Sequence, residues 1–205
     1  GAAGAPKSYF WPYNKGTWVE DNGMKSNKKK NKGHGKILDL EKGVEGEYLT
    51  DRLTNETVNF INKKHQKPFF AILSHYGVHT PLEAPKKLVT KYEQKLKSMT
   101  FKGNKFEAKD GETKQFQDHA TYAAMIESMD ASLGEIVRAL KENNQFENTI
   151  IVFTSDHGGL SNRGIGNKRV LATSNLPLRA GKGHMYEGGI KVPLIMGGSI
   201  TSKSH

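Results

Sequence analysis

Three short polar segments hold the side chains best suited to chemistry. The first, Ser74-His75-Tyr76-Gly77-Val78-His79-Thr80-Pro81, carries two histidines four residues apart. Imidazole titrates near neutrality and can give or take a proton at a reacting oxygen. The second, Ser155-Asp156-His157-Gly158-Gly159, sets a carboxylate and an imidazole before paired glycines. An aspartate so placed can present its oxygens to a cation, and the glycines let the backbone turn sharply and approach a ligand; an Asx-type turn is the structural alternative. The third runs Arg179-Ala180-Gly181-Lys182-Gly183-His184-Met185-Tyr186-Glu187-Gly188-Gly189, with too many glycines around charged residues for a core element. Its Gly-Lys-Gly puts a point cation on a backbone that can bend towards an anion, as phosphate and sulfate sites require. It is not a nucleotide P-loop, because the upstream glycine spacing and the Ser or Thr after the lysine are both absent.

The elements around these segments explain how they could be positioned. Residues 69–73, Phe-Phe-Ala-Ile-Leu, are apolar on both faces and predict a central strand of a parallel sheet. Pro81 disfavours helix at Thr80, so both histidines fall on a loop at that strand's carboxyl end. Residues 149–154 are β-branched and apolar, predict a second central strand, and run straight into Asp156. A third strand is predicted over 190–196, weakened by Pro193. Helical spacing of Leu49, Leu53, Phe60 and Ile61 predicts an amphipathic helix over 47–64, and residues 85–97 predict a short exposed one. The clearest helix is predicted over 117–143, where Tyr122, Met125, Ile126, Met129, Leu133, Ile136, Val137 and Leu140 form one core-facing stripe with Asp130 at its edge. Residues 98–114, rich in Lys, Gly and Asn, read as an excursion loop, and residues 1–46 as an irregular segment with scattered Phe10, Trp11, Tyr13 and Trp18. Helix and strand in alternation predict an α/β layered fold, in which ligands bind outside the carboxyl ends of the strands. Both strong strand candidates end in ionisable residues.

Composition narrows the chemistry further. The 205 residues include no cysteine, which excludes disulfides, cysteine-based metal centres and a cysteine nucleophile within this chain. Lys and Arg number 31 against 21 acidic residues, a net charge of +10, with clusters at Lys28, Lys29, Lys30 and Lys32 and at Lys86, Lys87, Lys91, Lys95 and Lys97. Such charge attracts anionic polymers, nucleic acid or a sulfated or phosphorylated chain among them, or else sits solvated on loops and an exposed helix. The lysines lack the interleaved aromatics of a single-strand-binding surface, and no nucleic-acid partner is expected. No apolar run approaches the roughly 20 residues a membrane helix needs, and no basic-then-apolar leader opens the chain.

Taken together, Phe153-Thr154-Ser155-Asp156-His157-Gly158, Pro177-Leu178-Arg179-Ala180-Gly181-Lys182-Gly183 and Tyr186-Glu187-Gly188-Gly189, preceded by Pro68-Phe69-Phe70 and His79-Thr80-Pro81, strongly resemble the sulfatase family of the alkaline-phosphatase-like superfamily. Leu49-Thr50-Asp51 resembles the family's usual segment on the first helix. The resemblance covers about residues 47–198 and implies an alkaline-phosphatase-like α/β sheet flanked by helices, present as a partial domain: 1–46 entering mid-domain, 47–205 the later part of the catalytic domain. It implies hydrolysis of sulfate esters, on a sulfated polysaccharide among other substrates, with a divalent cation, calcium or alternatively magnesium. Asp156 and His157 are then cation ligands, Lys182 the lysine that contacts the sulfate, and His79 the histidine near the ester oxygen. His184 lines the substrate pocket, Tyr186 and Glu187 hold the loop, and His75 has no counterpart. A periplasmic or secreted location is the corresponding expectation.

The departures from the family pattern are as specific. The family's nucleophile is a formylglycine made from Cys or Ser in Cys/Ser-x-Pro-x-Arg, and its cation site is completed by an early Asp-Asp pair; this chain has neither, nor the Gly-Lys-Trp-His segment. The nearest imitation, Asn175-Leu176-Pro177-Leu178-Arg179, puts Asn where the modified residue would stand. The expectation is therefore a fragment without sulfatase activity of its own, the formylglycine residing in polypeptide outside it. Two alternatives stay open: a phosphatase, phosphodiesterase or phosphonate hydrolase of the same superfamily, and a non-catalytic polyanion-binding domain.

Overall fold

A computed structural model describes residues 6–14, 37, 39–40 and 42–199. Trp18 and the lysines at 28–32 lie outside them. The chain divides into two compact units, the first made of Gly1–Glu93 and Ala120–Asn144, the second of Gln94–His119 and Gln145–His205.

In the first unit, helices α1 (Leu49–Ile61) and α3 (Ala120–Glu142) pack against one another. The face that α3 buries is not simply the large-residue stripe read from its periodicity. Ala124, Met125, Ser128, Ser132, Ala139 and Leu140 are buried, whereas Ile126 is 49% exposed. Small side chains let two helices approach closely, and the polar atoms they bring inside must then be paired. Thr54 of α1 meets that demand: its hydroxyl lies 2.6 Å from Ser132 Oγ and 2.7 Å from the Thr50 carbonyl. Tyr9, Tyr13, Ile37, Tyr48, Leu49, Ala84, Ala124 and Met125 form the core. Residues 6–14 enter this core without becoming a helix or strand. Their one β-bridge joins Phe10 to Tyr48, and the Leu49 amide donates to the Tyr9 carbonyl at 2.8 Å. Helix α2 (Lys86–Lys97) starts in this unit and buries none of its residues, so its five lysines are solvated; Lys91 pairs with Glu127 at 2.8 Å.

Residues 69–73 join no strand ladder among the described residues, and Phe70 and Ile72 are 88% and 74% exposed. The central strand expected over 69–73 is not formed, because no strand pairs with this run among the described residues.

The second unit holds two small antiparallel sheets. Strands β1 (Phe106–Ala108), β2 (Glu112–Lys114) and β4 (Asn162–Arg163) form one in the order β1-β2-β4. The stretch read as an excursion loop therefore contains a hairpin, turned at Asp110 and Gly111, both with positive φ. Strands β3 (Ile150–Thr154) and β5 (Leu194–Gly198) form the other, with Val152 opposite Met196. The third strand thus begins after Pro193, and Ile190 instead ends the short helix α4 (Glu187–Ile190). Pairing is antiparallel, where the sequence predicted parallel neighbours, and alternate β3 residues are exposed.

Candidate functional site

Strand β3 delivers the chain to Asp156, as its sequence predicts. Thr154 Oγ1 donates to the Pro193 carbonyl at 3.0 Å, and Ser155 Oγ to the His157 carbonyl at 2.9 Å, so the bend just after the strand is fastened. Asp156 projects its carboxylate into solvent, 83% exposed, with Oδ2 3.2 Å from His157 Nε2. The other imidazole nitrogen of His157 lies 3.0 Å from the Gly158 carbonyl, so each ring nitrogen faces an oxygen acceptor.

From Gly158 onwards the chain is stitched to the 179–189 loop. The Gly158 amide donates to the Gly189 carbonyl at 2.9 Å, Lys182 N to the Gly159 carbonyl at 3.0 Å, and Gly188 N to the Arg179 carbonyl at 2.8 Å. Glycine is required here by space. A Cβ on Gly158 would stand 1.8 Å from the Gly188 carbonyl oxygen, and one on Gly188 2.1 Å from that of Ala180. Asn175, the residue at the imitation nucleophile position, is the knot of the arrangement. Its amide nitrogen lies within 2.8–3.1 Å of the Gly159, Ala180 and Gly188 carbonyl oxygens and of Ser161 Oγ. Arg179 makes a two-pronged contact with Asp110, Nε to Oδ2 at 2.8 Å and Nη2 to Oδ1 at 2.6 Å, while its guanidinium carbon sits 3.7 Å from the Tyr186 ring centre. The β1–β2 turn thereby holds the far side of the loop. Asn175 and Arg179 act as structural anchors that residue type alone does not mark.

Lys182 is carried on this fastened backbone, and its electrostatics are unusual for a lysine. Burial first, then the Arg169 cation, hold its pKa below the ordinary lysine value, against the opposing pull of Asp156. Lys182 thus senses the charges of Asp156 and Arg169 within the second unit. His184 stands beside Asn162, whose amide nitrogen is 3.3 and 3.4 Å from its two ring nitrogens. Glu187 begins α4, and its carboxylate lies 3.7 Å from Lys191 Nζ.

His75 and His79 belong to the first unit. The exposed His79 ring has Nδ1 2.8 Å from the Thr80 carbonyl, and its backbone is gripped by Tyr9, whose hydroxyl lies 2.6 and 2.9 Å from the Tyr76 and His79 carbonyl oxygens. His75 instead turns inward: Nε2 lies 3.0 Å from Ser132 Oγ and Nδ1 is buried without a hydrogen-bond partner among the described residues. Burial keeps its pKa below the usual imidazole value. It serves as a packed side chain of the α1–α3 interior.

A divalent cation is not accommodated by these residues alone. Asp156 and His157 offer one carboxylate and one nitrogen, whereas calcium takes six to eight oxygen ligands, and no group of three or more His, Asp or Glu side chains gathers among the described residues. No helix among the described residues is long and apolar enough to cross a membrane.

The sulfatase family model matches residues 4–204. A sulfatase of Formosa agariphila is 33% identical over 169 residues, covering 77% of this chain and 26% of its own length. Human steryl-sulfatase is 32% identical over 148 residues, covering 72% of this chain and 21% of its own length. The crystal structure of Ps i-CgsB in complex with k-i-k-neocarrahexaose superposes on 83% of this chain and 34% of its own, with TM-score 0.55 and 34% identity. The chain therefore spans 21–34% of the length of these relatives, and its fold is that of a part of their alkaline-phosphatase-like α/β domain. With the family model matched along nearly its whole length, this chain belongs to the sulfatase family.

Proposed function

We propose that the protein hydrolyses sulfate esters and that this chain supplies its sulfate-gripping lysine. The observation that carries the reading is Lys182: a partly desolvated cation on a loop whose backbone is tied at Gly158, Gly159, Asn175 and Arg179. A cation stripped of part of its water and held by a fixed backbone binds an oxyanion with little reorganisation as charge shifts on the ester. His79 stands near the ester oxygen in this reading, holding the sulfate or donating a proton to the departing alkoxide, and His184 lines the pocket. Asp156 and His157 are this chain's share of the donors for a divalent cation whose remaining ligands come from elsewhere in the protein.

The nucleophile comes from polypeptide outside these 205 residues, since the chain contains no cysteine and no Ser-x-Pro-x-Arg. The purified chain should accordingly release no sulfate from an aryl sulfate; calcium-dependent release would overturn this part of the reading. A sulfated polysaccharide is the proposed substrate, supported by the carrahexaose bound to the similar structure and by the net charge of +10. A polymer of that kind is met outside the cytoplasm, which fits a periplasmic or secreted enzyme.

The test is kinetic. In the intact enzyme, Lys182→Ala should lower kcat/KM for an aryl sulfate by roughly 10²-fold or more, the loss seen when one donor to a developing oxyanion is removed. Unchanged kinetics would sink the assignment. Running an aryl phosphate in parallel separates sulfate-ester from phosphate-ester hydrolysis.

A further inference from the structure

Tyr9 is a core residue of the first unit, 0% exposed, in a segment that forms neither helix nor strand. Its position is fixed from several sides. The Tyr9 amide donates to Glu83 Oε2 at 2.6 Å, the Leu49 amide donates to the Tyr9 carbonyl at 2.8 Å, and the Tyr9 ring lies 6.0 Å from that of Tyr48. From there the side chain reaches a turn 67 to 70 positions away in sequence. Residues 76–79 form that turn, closed by the His79 amide donating to the Tyr76 carbonyl at 2.9 Å. The Tyr9 hydroxyl lies 2.6 Å from the Tyr76 carbonyl oxygen and 2.9 Å from that of His79, so one O–H is shared between the two ends of the turn. Burial first, then Tyr48 and Glu83, raise the pKa of this phenol, which keeps it a donor well above neutral pH. A phenylalanine ring would fill the same place in the core. Desolvating a hydroxyl there is unfavourable unless its hydrogen bonds are made, and the bonds it makes go to this turn. On the other side of the imidazole, His79 Nδ1 lies 2.8 Å from the Thr80 carbonyl and 3.3 Å from Thr80 Oγ1, and Thr80 and Pro81 are buried. An exposed ring is thus mounted on a backbone that the core holds before and after it.

We infer that Tyr9 is a positioning residue for His79: its hydroxyl fixes the 76–79 turn and so sets where the imidazole stands. This rests on the reading of His79 as the residue beside the ester oxygen. A proton donor works only within hydrogen-bond reach of its target, and a displacement of about 1 Å can cost on the order of 10²-fold in rate. The irregular segment 6–14 thereby takes part in chemistry that its own side chains do not touch.

The experiment uses the intact enzyme and an aryl sulfate. Tyr9→Phe keeps the ring and removes the hydroxyl, and it should lower kcat by roughly 10-fold while KM stays within about twofold of wild type. Tyr13→Phe is the structural control. It removes another buried core hydroxyl, one that lies 2.5 Å from Glu47 Oε1 and makes no bond to the turn, and its kcat should match wild type. The double variant separates positioning from packing: in a His79→Ala background, Tyr9→Phe should lower kcat by less than about twofold, because the group it positions is gone. The same factor in both backgrounds, or an equal loss in Tyr13→Phe, would show a general structural effect and overturn the inference. Unchanged kcat in Tyr9→Phe beside an impaired His79→Ala would overturn the role of Tyr9 and leave that of His79. Full activity in His79→Ala would overturn the reading of His79, and the role of Tyr9 with it. If Tyr9→Phe does not fold, the wild-type hydroxyl proton is followed by NMR. Its exchange with water should be slower than that of a free tyrosine by roughly 10-fold or more, and equal exchange would overturn the clamp.

Discussion

His75 and His79 stand four residues apart in sequence and have different fates. Both occupy a polar segment after an apolar run, so residue type alone marks them equally. Packing separates them: the His79 ring is exposed, whereas His75 faces Ser132 with Nδ1 buried and without a hydrogen-bond partner among the described residues. A buried imidazole is held neutral, and this gives a pH dependence of definite sign. Its folded pKa lies below the ordinary value of 6.5, so the unfolded chain binds the proton more readily. The associated stability is fully present above 6.5 and is lost as pH falls from there towards the depressed folded pKa, with a slope of up to about 1.4 kcal/mol per pH unit for one proton. His119 in the second unit is depressed in the same direction, by burial first and then by Lys114, and adds to the trend. Thermal or urea unfolding followed from pH 8 to pH 5 should show stability falling below about pH 6.5, near the reference imidazole value, and His75→Asn should flatten the fall. A profile with the same slope in the variant would show that His75 does not titrate on unfolding.

Elements with long periodic patterns were legible in the sequence and short ones were not. Helix α3 follows its apolar period to within a few residues of the expected bounds, yet its buried face includes Ala124, Ser128 and Ser132, which a hydrophobicity pattern passes over. What selects that face is the close approach of α1 and the need to pair Thr54, information that resides in the partner helix. Strands β1 and β2 are three residues each, too short to show alternation, and their one sequence signal was the Asp110-Gly111 pair at the turn. The Lys182 loop was readable as a binding loop from its glycines, but not how it is held, because Asn175 reaches acceptors 5 to 16 positions away. That dependence can be tested at the level of the loop. Asn175→Ala leaves the Gly159, Ala180 and Gly188 carbonyls without this donor, at a cost of about 1–3 kcal/mol for a buried group left unpaired. Amide hydrogen exchange should accelerate at Gly158, Lys182 and Gly188 and stay unchanged in β3 and β5, whose ladder does not involve Asn175. Equal protection of the loop in variant and wild type would show that its backbone bonds suffice.

Across the whole molecule, the distribution of apolar surface departs from that of a self-sufficient domain. Phe70 and Ile72 in the first unit are 88% and 74% exposed, and in the second unit Ile150, Val152, Leu194 and Ile195 are 53–64% exposed on a two-stranded sheet. Strands rich in Ile, Val and Leu are normally covered on their faces, and each strand of this sheet keeps one edge unpaired among the described residues. The chain spans only 26% of the length of the Formosa relative. Exposed apolar side chains of this number promote association in spite of the charge repulsion expected at net +10. The purified chain should therefore enhance the fluorescence of a hydrophobic dye and show a mass that rises with concentration in light scattering. Replacing Val152 and Ile195 by lysine puts charge on the exposed sheet and should reduce both signals while leaving the far-ultraviolet circular dichroism spectrum in place. A monodisperse monomer that binds no dye would show that these side chains are sheltered in solution, and that the sheet finds its cover within the 205 residues.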